Sequence, residues 1–581
     1  MYLKPKQPNL PSYKFLILLI LFGLGYTKCY SQNVSFKKLQ HLTEQAIAKS
    51  YPACVRIFDF DSVKNLQMSA VFSGVVVTKD GYILTAAHVT RPGATYKVIF
   101  PDGKACVATG LGKVEYKEDK TIPDVALIKI STKGSWPYAI IGRSSSIKLH
   151  EPCLSISYPE SLYQPFPVVR FGYVANVRNE KGFIQSTCIM EPGDSGGPLF
   201  DCYGRVIGLH SAIGIPEKEN YEIPVDLYLK YWTALKNPII YTSTPENQDS
   251  LESDTISNAN NELEGINDFN KSYRKIARKT RGTCLAIIST KNNRRLNVRG
   301  TLFVVKGLPS IPDSPNDHNY IVCKSSMVGD NPFILLPGNL KVSEKIIARD
   351  RNNDLVLLQP STPIPHGISL KELTTDTMSL NIGKFLFSPQ PDSAVIISIS
   401  GNKEFVMPKG SSSGYLGLAV RYTGDSVLVT HIFSGPADGR GIREGDLVTA
   451  INGRRLKGIN DYGHLLQNSW PGDTVTLQFQ RLNSHYVKVI VLGAWPDPVV
   501  HHPAAFFSGG KSARRDGFQE VYTHDAIIKP YQCGGPVFDS QGHLCGINIA
   551  RFSRAICLAI PDDVIYHFII STLINVKPID K

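Results

Sequence analysis

The chain has 581 residues, of which 42% are apolar and 19% charged, and its formal net charge is +13. This length and composition predict three or four folded units and exclude a disordered or fibrous chain. The basic residues are scattered and no nucleic-acid-binding motif stands out, so the charge indicates a solvated surface and no nucleic-acid partner. Abundant glycine and proline indicate a turn-rich, mainly β protein.

The first residues have the pattern of an export signal. Lysines precede the apolar run 15–22, and small residues follow it. The run is too short to span a membrane comfortably. We therefore predict a signal peptide over residues 1–31 and an exported protein, periplasmic or extracellular, with membrane association only if the signal stays uncleaved.

Eleven cysteines are spread widely along the chain. They lack the paired C-x-x-C spacing of metal sites and the density of a disulfide-stapled miniprotein. Disulfide bridges and buried free thiols are therefore both open alternatives.

A polar stretch separates two similar halves of the chain. Residues 241–268 lack apolar periodicity and are predicted to form a linker. Four strings before it recur in the same order after it, at 52–57 and 282–287, 82–89 and 320–327, 124–128 and 354–358, and 196–201 and 534–539. Such a repeat indicates two copies of one all-β domain. We place the first at 32–240 and the second, which has diverged, at 269–410 and 494–581.

The most specific motif of the sequence is G-D-S-G-G-P, which begins at Gly193. Its glycines allow a tight turn, in which the backbone amides of Gly193 and Ser195 can point together at a developing oxyanion. Ser195 is then presented as a nucleophile. The alternative is an ordinary glycine-serine turn, which the partners of this motif disfavour.

A serine nucleophile needs a base within hydrogen-bond reach, and a carboxylate must orient that base. A predicted strand beginning at Tyr82 delivers His88 after two small alanines, and Asp124 opens a further apolar strand. The rivals Asp102 and Asp119 do not directly precede such a run. We predict His88 as the general base and Asp124 as the orienting acid.

The strings around His88, Asp124 and Ser195 resemble the three active-site motifs of chymotrypsin-fold proteases, especially the bacterial HtrA or Deg group. The resemblance covers about residues 50–235. It implies two β-barrels with the triad in the cleft between them, and an endopeptidase that acts through an acyl-enzyme without metal or organic cofactor. Asp194 departs from the Deg group, which commonly has Asn at this position.

The same resemblance locates a specificity pocket. In this fold the residue six positions before the nucleophile lies at the pocket base, which here is Ile189. The strand with Ser211, Ala212 and Ile213 is expected to form a side. No carboxylate is expected there for Lys or Arg. We predict a shallow apolar pocket and cleavage after small or medium aliphatic residues.

The second copy has lost part of this machinery. Ser326 stands at the histidine position, Asp354 is retained, and Cys533 replaces the nucleophile. A thiol needs a base to form the thiolate, and neither His318 nor His543 falls at the strand end where the base belongs. We predict a degenerate pseudo-protease domain that serves packing or substrate binding, with a cysteine protease as the alternative.

An insert at 411–493 interrupts the second copy. Its glycine-rich strings, including Y-L-G-L and G-D-L-V-T-A-I-N-G, resemble a bacterial PDZ domain. This resemblance implies that amides around Leu416, Gly417 and Leu418 hold a chain-terminal carboxylate while the bound peptide adds a strand to the sheet. A PDZ unit that only holds domains together is the alternative.

The predicted fold is mainly β, with two tandem chymotrypsin-like double β-barrel domains, the second degenerate and interrupted by a PDZ domain. The predicted function is an exported serine endopeptidase in envelope protein quality control or processing, whose PDZ domain recognises ends of unfolded or exposed protein substrates. A non-hydrolytic scaffold or holdase is the second hypothesis, and an esterase is a third. The resemblance suggests trimers, but the sequence identifies no N-terminal contacts for them, so the assembly stays open.

Overall fold

The computed structural model describes residues 37–116, 123–162, 164–252, 269–291, 293–306, 318–336, 340–373, 380–424, 426–496 and 502–575. The predicted signal peptide and most of the predicted linker lie outside these ranges. Within them the chain is mainly β, with five sheets. No helix among these residues is both long and apolar enough to cross a membrane.

Helix α1 (37–50) leads into the first barrel. Its strands are β1 (Cys54–Asp61), β2 (Leu66–Gln67), β3 (Phe72–Val76), β4 (Tyr82–Ala86), β5 (Thr95–Ile99), β6 (Ala105–Glu115) and β7 (Asp124–Ile130). The pairing order β6-β5-β1-β3-β4-β7 is closed by a further pairing of β6 with β7. Along β6 every second side chain is buried, because alternate residues of a strand face the barrel interior.

A second barrel completes the first copy. Its strands are β8 (Ile140–Ile141), β9 (Pro152–Ser157), β10 (Val168–Asn176), β11 (Ile184–Ser186), β12 (Pro198–Asp201), β13 (Arg205–Ile213) and β14 (Asn220–Pro224). The order β12-β9-β10-β11-β14-β13 closes through a pairing of β12 with β13. Helices α2 (Val225–Lys230) and α3 (Trp232–Leu235) follow, and β15 (Ile240–Tyr241) returns to pair with β6.

The second copy repeats this plan. It comprises helix α4 (Phe269–Lys279) and strands β16 (Cys284–Lys291), β17 (Arg294–Val305), β18 (His318–Lys324), β19 (Asp330–Leu336), β20 (Leu340–Asp350), β21 (Leu355–Pro360), β22 (Ile368–Ser369), β23 (Phe385–Pro389), β24 (Val395–Ile399) and β25 (Phe405–Met407). Strands β16 to β22 form one sheet, which β16 and β17 close. Both β4 and β18 end in a single 3₁₀ turn, at Ala87–Val89 and Ser325–Met327.

The insert forms a separate sheet with its own core. Its elements are β26 (Leu418–Thr423), β27 (Ser426–Ile432), β28 (Leu447–Ile451), β29 (Arg454–Arg455), helix α5 (Ile459–Asn468), β30 (Thr474–Arg481) and β31 (Ser484–Val491). The order β26-β27-β28-β30-β31 makes β26 an edge strand. An edge strand offers free backbone groups to an added peptide.

The second copy resumes after the insert and completes its own second sheet. The remaining elements are β32 (Phe518–His524), β33 (Pro536–Phe538), β34 (Leu544–Arg551), β35 (Cys557–Pro561) and helix α6 (Asp562–Asn575). They join the strands that precede the insert in the order β24-β23-β33-β34-β35-β32-β25. The insert therefore interrupts one sheet without breaking it.

Backbone hydrogen bonds around the loop of Ser195 in the first copy and the loop of Cys533 in the second copy match one another. Ser73 N donates to Ser195 O over 3.0 Å, and Arg299 N donates to Cys533 O over 3.0 Å. Two further bonds of each loop follow the same plan: Gly196 N to His210 O (2.8 Å) and His210 N to Gly197 O (2.8 Å) correspond to Gly534 N to Asn548 O (2.6 Å) and Asn548 N to Gly535 O (2.9 Å). The copies thus share the backbone of this loop as well as the order of their strands.

The two copies pack against each other through a common core. Leu162, Val168 and Ile189 of the first copy lie in one apolar cluster with residues of the second. Polar contacts flank it, since Val169 N donates to Gly401 O over 2.9 Å. All ten cysteines of the described residues are free thiols, and nine of them are buried.

Candidate active site

Three side chains meet in the cleft of the first copy. His88 Nε2 lies 3.1 Å from Ser195 Oγ, and His88 Nδ1 lies 2.8 Å from Asp124 Oδ2. The backbone amide of His88 donates to Asp124 Oδ1 over 2.9 Å. The structure therefore brings together the three residues that the sequence predicted as nucleophile, base and acid.

Local backbone structure explains where His88 lies. The sequence predicted that the strand would carry the histidine, but β4 ends at Ala86 and His88 sits in the 3₁₀ turn that follows. The two alanines before it are fully buried, so they let the turn pack closely against the barrel. Ala86 pairs with Val125, which brings the start of β7 and Asp124 beside the turn.

Ser211 is a member of the site that the sequence assigned only to the pocket wall. Its hydroxyl donates to Asp124 Oδ2 over 2.6 Å, on the same oxygen that holds His88. Burial raises the pKa of Asp124, but the hydrogen bonds from His88 and Ser211 outweigh it, and the net pKa is lowered. Asp124 is therefore held as a carboxylate.

The electrostatics of His88 suit a general base. Burial lowers its pKa, whereas the hydrogen bond and charge of Asp124 raise it, and the net pKa lies above the ordinary histidine value. The side chain is still 39% exposed, because it faces the open cleft. The imidazole can therefore accept a proton from Ser195 and hold it beside Asp124.

The loop before Ser195 has the geometry of an oxyanion hole. Gly193 has φ +95°, and a Cβ there would collide with the backbone of Glu160, so this position requires glycine. Asp194 N and Gly197 N are engaged within the loop, with Glu191 O and Asp194 O as acceptors. Among the described residues, nothing accepts a hydrogen bond from the amides of Gly193 or Ser195, so both can serve an oxyanion.

A buried ion pair lies behind this loop. Arg170 Nη1 and Nη2 donate to the two oxygens of Asp194 over 2.6 and 3.1 Å, and both side chains are 1% exposed. Ser157 Oγ and Glu191 N also donate hydrogen bonds to the Asp194 carboxylate. The sequence had marked Asp194 as a departure from the Deg group but gave no signal for Arg170, which lies on β10.

A cavity of about 230 Å³ opens beside Ser195. Its lining residues are His88, Met190, Glu191, Pro192, Asp194, Ser195, His210, Ser211, Ala212, Ile213 and, from the second copy, His502. The predicted pocket residues Ser211, Ala212 and Ile213 are among them. Ile189 is not among them, and its side chain lies in the apolar cluster that the two copies share, so its assignment to the pocket base stays a prediction.

The pocket is more polar than the sequence indicated. Glu191 lies in its lining, although no carboxylate was expected there. Burial and the charge of Asp194 raise the pKa of Glu191, and the Ser161 hydroxyl donates to its carboxylate. His210 is held by a 2.6 Å contact between its Nε2 and Ser155 Oγ. Met190, Pro192, Ala212 and Ile213 provide the apolar surface.

At the equivalent place in the second copy, a lysine contacts the retained aspartate. Lys324 Nζ lies 2.7 Å from Asp354 Oδ2, and both side chains are 1% exposed. Ser326 Oγ donates to the same oxygen over 2.8 Å. Asp354 is therefore paired with a lysine, and Ser326 offers no basic nitrogen.

Cys533 lies in a closed environment. It is fully buried, and its Sγ is 3.8 Å from Ser512 Oγ on the segment that precedes β32. Burial raises the pKa of its thiol to about 11. His543 faces Asp539 near the start of β34, and it makes no hydrogen bond to the thiol within the described residues. His318 begins β18, and its side chain lies outside the described part of the structure. A thiol with such a pKa is a poor nucleophile at neutral pH.

The glycine-rich loop of the insert lies at the start of edge strand β26. Gly417 O accepts from Phe433 N over 2.8 Å, and Leu416 O accepts from Ala437 N over 2.9 Å. The first bond makes Leu418 and Ile432 a non-hydrogen-bonded pair, so the Leu418 amide points to the open edge of the strand. Helix α5 packs beside β26, as expected for a peptide groove.

Comparisons with known proteins agree with this arrangement. Residues 72–209 match the model of the trypsin-like peptidase domain, and residues 414–490 match that of the PDZ domain. The described residues contain no cluster of three or more His, Cys, Asp or Glu side chains that could hold a metal ion. The fold and the site thus define a protein with a trypsin-like peptidase domain and a PDZ domain.

Curated relatives narrow this class. The chain is 32% identical over 201 residues to serine protease HTRA1 of Xenopus tropicalis, covering 33% of this chain and 42% of that protein. It is 32% identical over 177 residues to a probable periplasmic DegP-like serine endoprotease of Bartonella henselae, covering 28% and 33%. These relatives confirm the predicted resemblance to HtrA or Deg serine proteases. They also confirm the predicted enzyme class, serine-type peptidase.

The solved serine endoprotease from Yersinia pestis is 15% identical, with a TM-score of 0.28, and the match covers 78% of this chain and 98% of that one. The chain spans less than half the length of the curated relatives above. The sheets described above and the two matched domain models confirm the predicted fold class, which is mainly β with barrels and a PDZ domain.

Proposed function

We propose that this protein is an exported serine endopeptidase that uses Ser195 as nucleophile, His88 as general base and Asp124 as orienting acid. The observation that carries the proposal is the 3.1 Å separation of His88 Nε2 and Ser195 Oγ beside two uncommitted amides. A binding scaffold has no need for a base, a carboxylate and an oxyanion hole around one hydroxyl. We assign this chemistry to residues 32–240.

The geometry suits acyl transfer. Ser195 Oγ attacks the peptide carbonyl while His88 Nε2 takes its proton, and the negative charge on the carbonyl oxygen is held by the amides of Gly193 and Ser195. Asp124, fixed by Ser211, stabilises the imidazolium. His88 then protonates the leaving amine, and water releases the acyl group by the same steps in reverse order.

Substrate selection has two parts in this proposal. Met190, Ala212 and Ile213 give the cavity an apolar surface that fits a small or medium aliphatic side chain before the cleaved bond. The loop of Leu416, Gly417 and Leu418 binds the carboxylate of a protein chain end. Substrates are then unfolded or exposed proteins with accessible termini. Residues 411–493 form the PDZ unit, and residues 269–410 and 494–581 the degenerate domain.

The proposed setting is the cell envelope or its exterior, in protein quality control or processing. Two observations support it: the signal pattern at 1–31 and the periplasmic naming of bacterial relatives such as the one from Bartonella henselae. The second candidate, a non-hydrolytic holdase, is favoured only by the disabled site of the second copy.

Hydrolysis of unfolded casein by the purified mature protein tests the proposal. The wild type and Cys533→Ala should cleave casein and react with an active-site serine phosphonate, and Ser195→Ala should do neither. A wild type without turnover and without labelling would favour the holdase. Loss of turnover in a folded Cys533→Ala protein would contradict the degenerate assignment of the second copy.

A panel of peptides that differ only in the residue before the cleaved bond tests the pocket. We expect the highest kcat/KM for Val, Ile or Ala. Cleavage mainly after Arg would overturn the proposed specificity and would direct attention to Glu191.

A further inference from the structure

The turn between β13 and β14 forms part of the rim of the substrate pocket. It begins directly after the pocket residue Ile213. Within the turn, Gly214 N donates to Glu219 O and Glu219 N donates to Pro216 O, each over 2.9 Å. These short-range bonds leave the carbonyl of Gly214 for a partner outside the turn.

That partner comes from the second copy. Arg554 Nη1 donates to Gly214 O over 2.7 Å, and Arg554 Nη2 donates to Pro216 O over 2.8 Å. The arginine is 0% exposed, and the carboxylates of Glu217, Glu191 and Glu219 lie close enough to stabilise its charge. A buried guanidinium with two charge-assisted bonds fixes the position of the carbonyls that it holds.

A second arginine strengthens the same contact. Arg551 Nη2 donates to Glu217 Oε1 over 3.0 Å, and Arg551 is 1% exposed. Glu217 O in turn accepts from Asn220 Nδ2 over 2.8 Å, and Asn220 Oδ1 accepts from Met190 N over 3.0 Å. Hydrogen bonds therefore run from the second copy, through the turn, to the loop that carries the nucleophile.

The contact joins equivalent parts of the two copies. The turn 552–556 connects β34 and β35, as the turn 214–219 connects β13 and β14. The strand before each turn also contacts its loop in the same way. On β13, His210 bonds to the loop of Ser195, and on β34, Asn548 bonds to the loop of Cys533. The turn 552–556 of the second copy, which corresponds to the pocket turn 214–219 of the first, therefore supports that pocket turn. His502 adds a further side chain of the second copy to the cavity lining.

We propose that the degenerate second copy is a structural component of the active site and that Arg554 is a positioning residue for the substrate pocket. The proposal rests on the proposed peptidase function and deepens it. Arg554 does not touch the reacting atoms. It holds the turn at Gly214 and Pro216 so that the strand with Ala212 and Ile213 presents a formed pocket to the substrate.

The test compares full-length variants on a peptide substrate and on a small phosphonofluoridate. The phosphonofluoridate needs only the triad and the oxyanion hole, whereas the peptide also needs the pocket. We expect Arg554→Met to lower kcat/KM for the peptide about tenfold or more, largely through KM, because two charge-assisted bonds are lost. Labelling of Ser195 should change by less than about twofold, since the triad is untouched.

Two further variants keep the test informative if Arg554→Met folds poorly. Arg554→Lys retains the cation but offers a single donor nitrogen in place of the guanidinium fork, and it should recover part of the loss. Glu217→Gln removes the negative charge that pairs with Arg551, which weakens the contact from the first copy and should raise KM in the same direction. Arg349→Met is the matched control, because Arg349 also donates to backbone carbonyls, those of Ser325 and Val328, but within the second copy.

Unchanged kcat/KM and KM in folded Arg554→Met and Glu217→Gln proteins would overturn the inference while the peptidase function stands. Equal losses of peptide turnover, labelling and thermal stability in Arg554→Met, Glu217→Gln and the Arg349→Met control would also overturn it, because they would indicate general destabilisation. A wild type without turnover or labelling would overturn the peptidase proposal, and this inference with it.

Discussion

Arg170 and Asp194 form a buried ion pair directly behind the loop of Ser195, and both side chains are 1% exposed. Asp194 stands between Gly193 and Ser195 in the sequence, whose amides form the proposed oxyanion hole. The hydrogen bonds that hold the Asp194 carboxylate therefore also fix the backbone of this loop. Burying two charges is costly, and the cost is recovered only when both are present and well bonded.

Removing one partner should therefore be far more damaging than removing both. We expect Arg170→Met to lower the free energy of unfolding by about 3–5 kcal/mol, because it leaves Asp194 buried and unpaired. The double variant Arg170→Met with Asp194→Asn should regain much of this stability and of the phosphonate labelling. Chemical denaturation measures the free energy of unfolding of each variant. The exposed pair Arg91–Asp59 is the control, since Arg91→Met should cost less than about 1 kcal/mol. A mild effect of Arg170→Met alone would contradict the role of the pair.

The acid limb of the pH profile should report His88. Its pKa is raised above the ordinary value, and only the neutral imidazole can take the Ser195 proton. The kcat/KM should therefore fall as the pH drops through a midpoint above about 6.5. In Asp124→Asn the partner that raises this pKa is lost, so the residual activity should titrate at lower pH and be about 10³–10⁴-fold weaker. If the midpoint of the acid limb is unchanged in Asp124→Asn, the limb reports the titration of a group other than His88.

Ser211 should contribute through Asp124. Ser211→Ala removes a hydrogen bond that lowers the pKa of Asp124, and a bond to a charged group is worth about 1.5 kcal/mol or more. We expect kcat/KM to fall about tenfold, mainly through kcat. Ser69→Ala, between β2 and β3 of the first barrel and away from the site, should leave the kinetics unchanged. Equal kinetics of Ser211→Ala and wild type would limit Ser211 to the pocket wall.

Cys533 should be inert in the native protein. With its thiol pKa raised to about 11, roughly one thiol in a thousand is ionised at pH 8, and the side chain is buried. Iodoacetamide at pH 8 should leave Cys533 unmodified until the protein is denatured, as mass spectrometry of its peptide would reveal. Rapid native alkylation of Cys533 would instead support a thiolate nucleophile in the second copy.

Gly417 should be essential for binding chain ends. It has φ +83°, and a Cβ there would lie 3.2 Å from Phe433 O, so Gly417→Val distorts the carboxylate loop. We expect at least about a tenfold loss of affinity for a peptide with a free carboxylate, measured by fluorescence anisotropy. Gly424→Val is the control, because Gly424 also has positive φ, +64°, but has nothing within 4 Å of its Cβ. Equal binding of an amidated peptide would contradict recognition of the terminus.

Local chemistry made the main site residues readable from the sequence. Only a few residue types can serve as nucleophile, base and acid, and His88, Asp124 and Ser195 each stand in a short string with a defined mechanical role. The internal repeat was readable for the same reason, because turn and strand patterns are local. The strand that was expected to carry His88 was predicted one turn too long, since residue pattern does not fix where a strand ends.

Contacts between distant parts of the chain were decided by the tertiary structure. Arg170 reaches Asp194, Ser211 reaches Asp124, and Arg554 reaches Gly214 across 340 positions of the sequence, and no local pattern signals any of these pairs. The packing of Ile189 with side chains of the second copy is a contact of the same kind, which no local pattern signals. The sequence by itself determined which groups are the candidates for the proposed chemistry. Only the packing of one copy on the other decided how those groups are held and what lines the pocket.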